Sequence, residues 1–382
     1  MNKKELKIFI CAGEVSGEMH GALLMKALKS ASHIPIHFRG FGGDHMRAAG
    51  AEILYHTDQT AAIGITPVLL KLPFFFRMAN HLKREILSWK PDLVLTIDYT
   101  GMNLRLAAFA HDHGFKTSHY VCPQVWAWHR ERIPKIATFL DQLLCFFPFE
   151  PELFKDTPLR PEFIGHPLVD EVARTYSEPR PALPWEGKHH IALLPGSRKS
   201  EIIHLLPRML QAATLLESKL GGDCSFIIPT PTKNIRAYAE KVAGTVTRPP
   251  KHLTLVDGQA REVLLQAEAA IVASGTASLE ACMMKCPTVL VYASNAFSAW
   301  IARRLITGIK FLGLANIVAG REVMPELLQD DFTPERAADL VYRYIADEQL
   351  RASTIRSLEE TKRLLGEGNA VSRAADAILK LL

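Results

Sequence analysis

Short apolar runs alternate with stretches of helical period along most of the chain, and that alternation predicts a parallel α/β architecture. Residues 7–12, 37–41, 93–97, 117–121 and 141–147 read as strands in the first half, and 191–194, 225–228, 253–256, 269–273 and 288–292 in the second. Several runs stop at a glycine or small residue and lead into a helical pattern, as where Leu24 and Leu28 follow the first run and Ile202, Leu205 and Leu206 follow 191–194. Residues 177–188 carry Pro179, Pro181 and Pro184 and read as a linker. Thr333 is a candidate N-cap with Pro334 at the first helical position, and the chain beyond it reads as helical to the end, with a break near Gly366-Glu367-Gly368. The expected fold is α/β, with two Rossmann-like doubly wound domains, 1–178 and 189–345, then C-terminal helices in 346–382 that could return to the first domain.

Composition narrows the class. A chain of 382 residues is long for one core, and 48% apolar with 22% charged residues is ordinary for a globular protein. The net charge of +5 permits an anionic partner, a phosphosugar or a membrane surface, without calling for nucleic acid. The six cysteines form no C-x-x-C pair, and Cys282 and Cys286, four apart, have no companion ligands, so no metal centre is expected and the thiols read as core residues in a reducing cytosol. Residues 1–6 are polar and basic with no apolar core behind them, and no uncharged apolar run reaches eighteen residues, so neither a signal peptide nor a membrane span is expected.

The candidate chemistry sits in the turns. Pro195-Gly196-Ser197-Arg198 follows the 191–194 run and opens a helix. Such a turn points backbone N–H groups at open space, and Arg198 adds a fork suited to phosphate; an ordinary turn with a solvated arginine would read the same. Ser274-Gly275-Thr276-Ala277, with Glu280 one helical turn on, is a second anion-competent turn, and Gly258 ends another run. In the first loop Gly13, Gly17 and Gly21 miss the dinucleotide spacing and enclose Glu14 and Glu18, which disfavours a nicotinamide cofactor. Asp98 stands at the carboxyl end of a buried run, with Asn103 in the turn behind it. Trp126 and Trp128, beside His129, Arg130 and Arg132, suit a sugar or acyl wall and equally a core plug. Residues 61–90 interleave Phe74, Phe75, Phe76, Met78, Leu82 and Ile86 with Lys71, Arg77, Lys83, Arg84 and Lys90, which fits an interfacial helix or acyl groove as well as a buried helix with snorkelling cations. Residues 295–305, with Phe297, Trp300, Arg303 and Arg304, are a second basic amphipathic piece.

Taken together, Ala12-Gly13-Glu14-Val15-Ser16-Gly17, Ile97-Asp98-Tyr99 with Gly101 and Asn103, and Pro123 with Val125-Trp126-Ala127-Trp128 resemble the lipid-A-disaccharide synthase family. So do Phe147-Pro148-Phe149-Glu150, Gly165-His166-Pro167, Leu194-Pro195-Gly196-Ser197-Arg198, Ala273-Ser274-Gly275-Thr276-Ala277 and Asn316 with Ala319-Gly320-Arg321-Glu322, in family order over about residues 7–330. The resemblance implies an inverting glycosyltransferase of the GT-B type, two domains facing a cleft, with no metal or cofactor. Its reaction would join UDP-2,3-diacylglucosamine to 2,3-diacylglucosamine 1-phosphate (lipid X), giving a β-1,6-linked disaccharide and UDP, in the cytoplasm at the inner membrane surface.

Carried over residue by residue, the resemblance puts Gly196, Ser197 and Arg198 on the diphosphate, with Gly258, Ser274, Gly275, Thr276 and Ala277 lining the same site. Glu280 would take the ribose, Asn316 the donor side, and Asn103 and Trp126 the substrate. Many members carry a second aspartate where this chain has Gly101, and Glu18 replaces a usual aspartate. Asp98 is therefore the expected general base and Glu14 the second choice. Rival readings are another GT-B enzyme, such as a UDP-sugar 2-epimerase, and a non-catalytic lipid- or nucleotide-binding paralogue.

Overall fold

The structure is a computed structural model that describes residues 3–60, 65–293 and 309–382, and for residues 15 and 65–71 the backbone alone. Among the described residues, seven parallel strands form the first sheet: β1 (Leu6–Ala12), β2 (Ile36–Gly42), β3 (Ala51–His56), β4 (Leu93–Ile97), β5 (Lys116–Tyr120), β6 (Gln142–Cys145) and β7 (Glu162–Phe163). Their order is β3-β2-β1-β4-β5-β6-β7. The second sheet, among the described residues, has six parallel strands, β8 (His189–Leu194), β9 (Cys224–Thr230), β10 (Leu253–Asp257), β11 (Ala269–Ala273), β12 (Thr288–Tyr292) and β13 (Glu326–Leu328), in the order β10-β9-β8-β11-β12-β13. Both are doubly wound. Every residue of β4 is buried, as a strand covered by helices on both faces requires, and its continuous apolar run is the sequence trace of that burial.

Four strands depart from the pattern read along the chain: β3, β7 and β13 match no run in it, and β6 is shorter than its run. β3 follows Gly50 and only Ala51 in it is fully buried, so it carries too weak an alternation to be read as a strand. β6 stops at Cys145, short of residue 147, because the amides of Phe146 and Phe147 donate to the Glu150 carboxylate at 3.1 and 3.0 Å.

The chain divides into two compact units, Met1–Pro167 with Glu367–Leu382, and Leu168–Gly366. These limits differ from 178/189 and 345/346. The helix Leu168–Ser177 goes with the second unit because Val172 is buried, Glu171 pairs with Arg261, and the Tyr176 hydroxyl donates to the Met283 carbonyl at 3.1 Å. The helix Glu348–Leu364 stays there too, with Leu358 buried and Glu360 paired to Arg321 at 2.9 Å; Asp347 caps it, a break beyond the one expected near Gly366. Only the last helix, Ala370–Leu381, returns. Ala374, Ala375 and Ile378 enter the first core, Arg373 donates to the Ile164 carbonyl at 2.8 Å, and Gln142 to that of Ala377 at 2.9 Å.

Candidate active site

In a doubly wound sheet, ligands collect at the carboxyl ends of the two strands where the winding reverses. In the first unit these are β1 and β4. Ala12 and Ile97 are register partners, so Gly13-Glu14 and Asp98-Tyr99 leave the sheet side by side. The Tyr99 ring covers Gly13 so closely that a Cβ there would lie 2.2 Å from it, which explains the glycine without a ligand. Asp98 and Tyr99 are both left-handed, at φ 45° and 47°. Consecutive non-glycine residues in that region cost about 1–2 kcal/mol each and persist where the surroundings over-determine them.

Asn103 supplies much of that constraint. Its Nδ2 donates to the carbonyls of Cys11, Ile97 and Asp98 at 3.1, 2.9 and 2.9 Å, clamping the ends of β1 and β4 together. Asn103, expected as a substrate contact, is fully buried and clamps these strand ends. Asp98 itself is part-exposed, and its amide donates to the Tyr120 carbonyl at 3.0 Å. Glu14 is exposed at the head of the helix Val15–Ala31; burial, and then its charge, push the Tyr99 phenol up. A Cβ at Gly101 would meet open space, so the missing second aspartate has room to stand.

The next strand end carries the tryptophan loop. Trp126 is only 5% exposed; its indole donates to Glu150 at 3.3 Å and packs edge-on to Phe149 at 5.7 Å. Expected as a ligand contact, it is a wall braced from behind, and the tryptophan presented to solvent is Trp128, 45% exposed. Burial pushes the Glu150 carboxyl up to about 8 despite its hydrogen bonds from Phe147, Trp126 and Phe146. Cys122, Cys145 and Glu150 are, among the described residues, the group spaced as metal ligands. The donor set fits poorly: Glu150 already accepts three N–H bonds, the mutual hydrogen bond and burial push Cys122 well up, and burial pushes Cys145 up.

The second unit repeats the geometry at β8 and β11, where Leu194 and Val272 are partners. Gly196 has φ 106°, and beyond it Ser197 and Arg198 open the helix Lys199–Lys219, so their amides face an anion position at its N-terminus. The Arg198 side chain reaches into solvent. Beside it, Gly275 at φ 149° starts the helix Thr276–Met283, with Thr276 exposed and Ala277 half-buried. Ser274 is turned inward, its hydroxyl donating to the Leu312 carbonyl at 3.1 Å. Gly258 lies at the end of β10, on the same edge of the sheet but two strands from β8. The Glu280 Oε1 accepts from Arg261 at 2.9 Å, and Arg261 also holds Glu171.

Asn316, expected on the donor side, is held within its own loop. It is fully buried, and its amide is saturated: Nδ2 donates to the Met324 carbonyl at 2.7 Å and Glu326 Oε1 at 2.8 Å, while Oδ1 accepts from the amides of Val323 and Met324 at 2.8 and 2.9 Å. Glu326 in turn accepts from the amides of Leu312 and Gly313, both at 2.9 Å. Asn316 therefore orders the loop that receives Ser274. Glu326 here, Glu150 behind Trp126, and Glu201, whose Oε2 accepts from the amides of Ser197 and Arg198, draw no role from the chain alone. For Glu150 and Glu201 a signal is present: Glu150 ends a motif segment, and Glu201 stands three residues after Arg198, at the third position of its helix.

The helix Ile65–Trp89 resolves the phenylalanine run. Met78, Leu82 and Ile86 face the core and Phe74 packs on it, whereas Phe76 is 62% exposed on the side that also exposes Leu72 and Leu87. Ile63 and Gly64, and Phe297, Trp300, Arg303 and Arg304, lie outside the described residues. Among the described residues no helix is long and apolar enough to cross a membrane. A concavity of about 550 Å³ lined by Lys7, Lys29 and Trp89 sits at the amino ends of β1 and β2, the edge opposite the glycine loop.

Residues 8–381 match the family model described as lipid-A-disaccharide synthetase. The lipid-A-disaccharide synthase of Koribacter versatilis is 37% identical over 98% of this chain and 98% of its own length. That of Myxococcus xanthus is 36% identical over 98% and 97%. Among solved structures, a putative UDP-N-acetylglucosamine 2-epimerase from Listeria monocytogenes superimposes with a TM-score of 0.66 at 13% identity, covering 99% of this chain and 96% of that one. At such identity the likeness carries the GT-B fold alone.

Proposed function

The chain belongs to the lipid-A-disaccharide synthetase family, a glycosyltransferase of lipid A synthesis, and from that premise we propose that it joins UDP-2,3-diacylglucosamine to lipid X. The near-full-length family match carries this reading. The epimerase alternative rests on fold likeness at 13% identity and is not favoured.

The second unit is the donor side. The 196–198 turn and the 274–277 turn flank its switch point, and the amides of Ser197 and Arg198 with the Arg198 guanidinium form a diphosphate cradle. Glu280 keeps a second carboxylate oxygen for a ribose hydroxyl while Arg261 holds the first. The first unit is the acceptor side. Asp98, held in a left-handed conformation by Asn103, takes the proton of the acceptor 6-hydroxyl as its oxygen attacks the donor anomeric carbon, inverting it. The bond from that carbon to the diphosphate breaks, and UDP departs with the electron pair. Fixed donors aimed at a leaving diphosphate are worth most where charge develops, and Arg198 supplies the fixed cation. The exposed stripe of Leu72, Phe76 and Leu87, flanked by Arg77 and Arg84, suits a bilayer surface with anionic lipids, where an acceptor with two acyl chains resides.

Mass spectrometry of products from UDP-2,3-diacylglucosamine and lipid X, with and without EDTA, tests the reading on wild type and Asp98→Asn. The expected product is a tetra-acylated disaccharide phosphate that survives EDTA and falls away in the variant. Product from both proteins would move the base elsewhere, to Glu14 first. No product from folded wild type would end the proposal.

A further inference from the structure

Resting on the donor-site reading, we propose that the Glu201 carboxylate is a resident competitor for the donor diphosphate: it fills the anion position of the 196–198 turn and gives it up when UDP binds. Its Oε2 accepts from the amides of Ser197 and Arg198 at 2.8 and 3.2 Å, and its Oε1 from the Arg198 guanidinium at 3.1 Å. Two successive backbone amides and a guanidinium are the donors a phosphate oxygen would use. The anion cradle and the carboxylate therefore share one set of partners, and both cannot hold it at once.

Gly196 is shaped to the same occupant. At φ 106° a Cβ would lie 2.2 Å from Glu201 Oε2, so the glycine admits the carboxylate as well as a ligand. The contact is built to open. The Arg198 side chain is 78% exposed, so its pairing with Glu201 is screened by water and costs little to break. Glu201 then has two effects. It keeps the turn formed when no nucleotide is present, and it subtracts from UDP affinity, because binding must first break three charge-assisted contacts. Its return speeds product release. A fixed brace would behave differently: Glu201 would stay in place, and weakening it would loosen the cradle and weaken UDP.

Isothermal titration of wild type, Glu201→Gln and Glu201→Asp with UDP and with uridine separates these cases. Glutamine keeps a neutral acceptor for the two amides and removes the charge; aspartate is too short to span both amides and Arg198. UDP should bind roughly fivefold to tenfold tighter to Glu201→Gln, the difference between charged and neutral acceptors at such donors, with Glu201→Asp shifted the same way. Uridine affinity should not change. Equal or weaker UDP binding in the variants, or a gain that uridine shares, would overturn the proposal, and Glu201→Asp decides should the glutamine variant fail to fold by circular dichroism. Wild type that binds no UDP would instead defeat the donor-site reading.

Discussion

Asn316 stands where the family resemblance expects a donor contact, yet the structure wires it into its own loop, and Asn316→Ala tells the two roles apart. Truncation strands the buried amides of Val323 and Met324 and the carbonyl of Met324, while Glu326 keeps its bonds from Leu312 and Gly313. A buried polar group left without a partner costs about 1–3 kcal/mol, and the space left by the side chain can admit a water that recovers part of it. Three such groups give a loss of about 3–5 kcal/mol, a large share of the ~5–15 kcal/mol of a typical domain. Asn316→Asp should be no milder, since its second oxygen would face the Met324 carbonyl and the Glu326 carboxylate. Scanning calorimetry should show the second unit melting early in both variants. Titration well below that melting point should still find UDP bound, weakened by the disorder of the loop behind Ser274. A variant that melts like wild type and has lost UDP would refute the argument and return Asn316 to the ligand.

Arg198→Ala should cut turnover by roughly 10²-fold or more, the usual worth of a fixed donor on a developing charge, and wild-type rates would remove it from the leaving-group site. Glu150 carries a pH signature: its folded value of about 8 lies above its ordinary 4.5, so the stability its neutral form contributes is full below about pH 4.5 and lost as pH rises through about 8. Urea unfolding of the first unit at about pH 5.5 and about pH 8.5 should show a loss of a few kcal/mol in wild type, at about 1.4 kcal/mol per pH unit, that Glu150→Gln lacks; parallel profiles would sink the idea. Phe76→Ser should lower co-sedimentation with anionic vesicles severalfold while leaving the melting temperature unchanged, because the ring is 62% exposed. Equal binding by the two proteins would separate that stripe from the membrane.

Local chain geometry is written in the sequence itself. The unbroken apolar run of β4 and the Gly196 and Gly275 turns mark strand ends wherever they fall, because burial on two faces and positive φ each demand particular residue types. Hence the two doubly wound halves and the position of Asp98, Arg198 and the 274–277 turn at strand ends were legible. Asn103, Trp126 and Asn316 read along the chain as ligand contacts, since a polar side chain in a turn looks the same whether its partner is a substrate or a distant carbonyl. Only tertiary structure brought Cys11 to Asn103, Glu150 to Trp126 and Met324 to Asn316. The same holds for the last helix, whose small apolar face does not say which core it joins until Ala374 and Ile378 are packed beside the first sheet. The period and the turn residue act over a few positions of the chain. The partner of a polar group is chosen by the requirement that every buried donor and acceptor be satisfied, and that is settled only when remote segments meet.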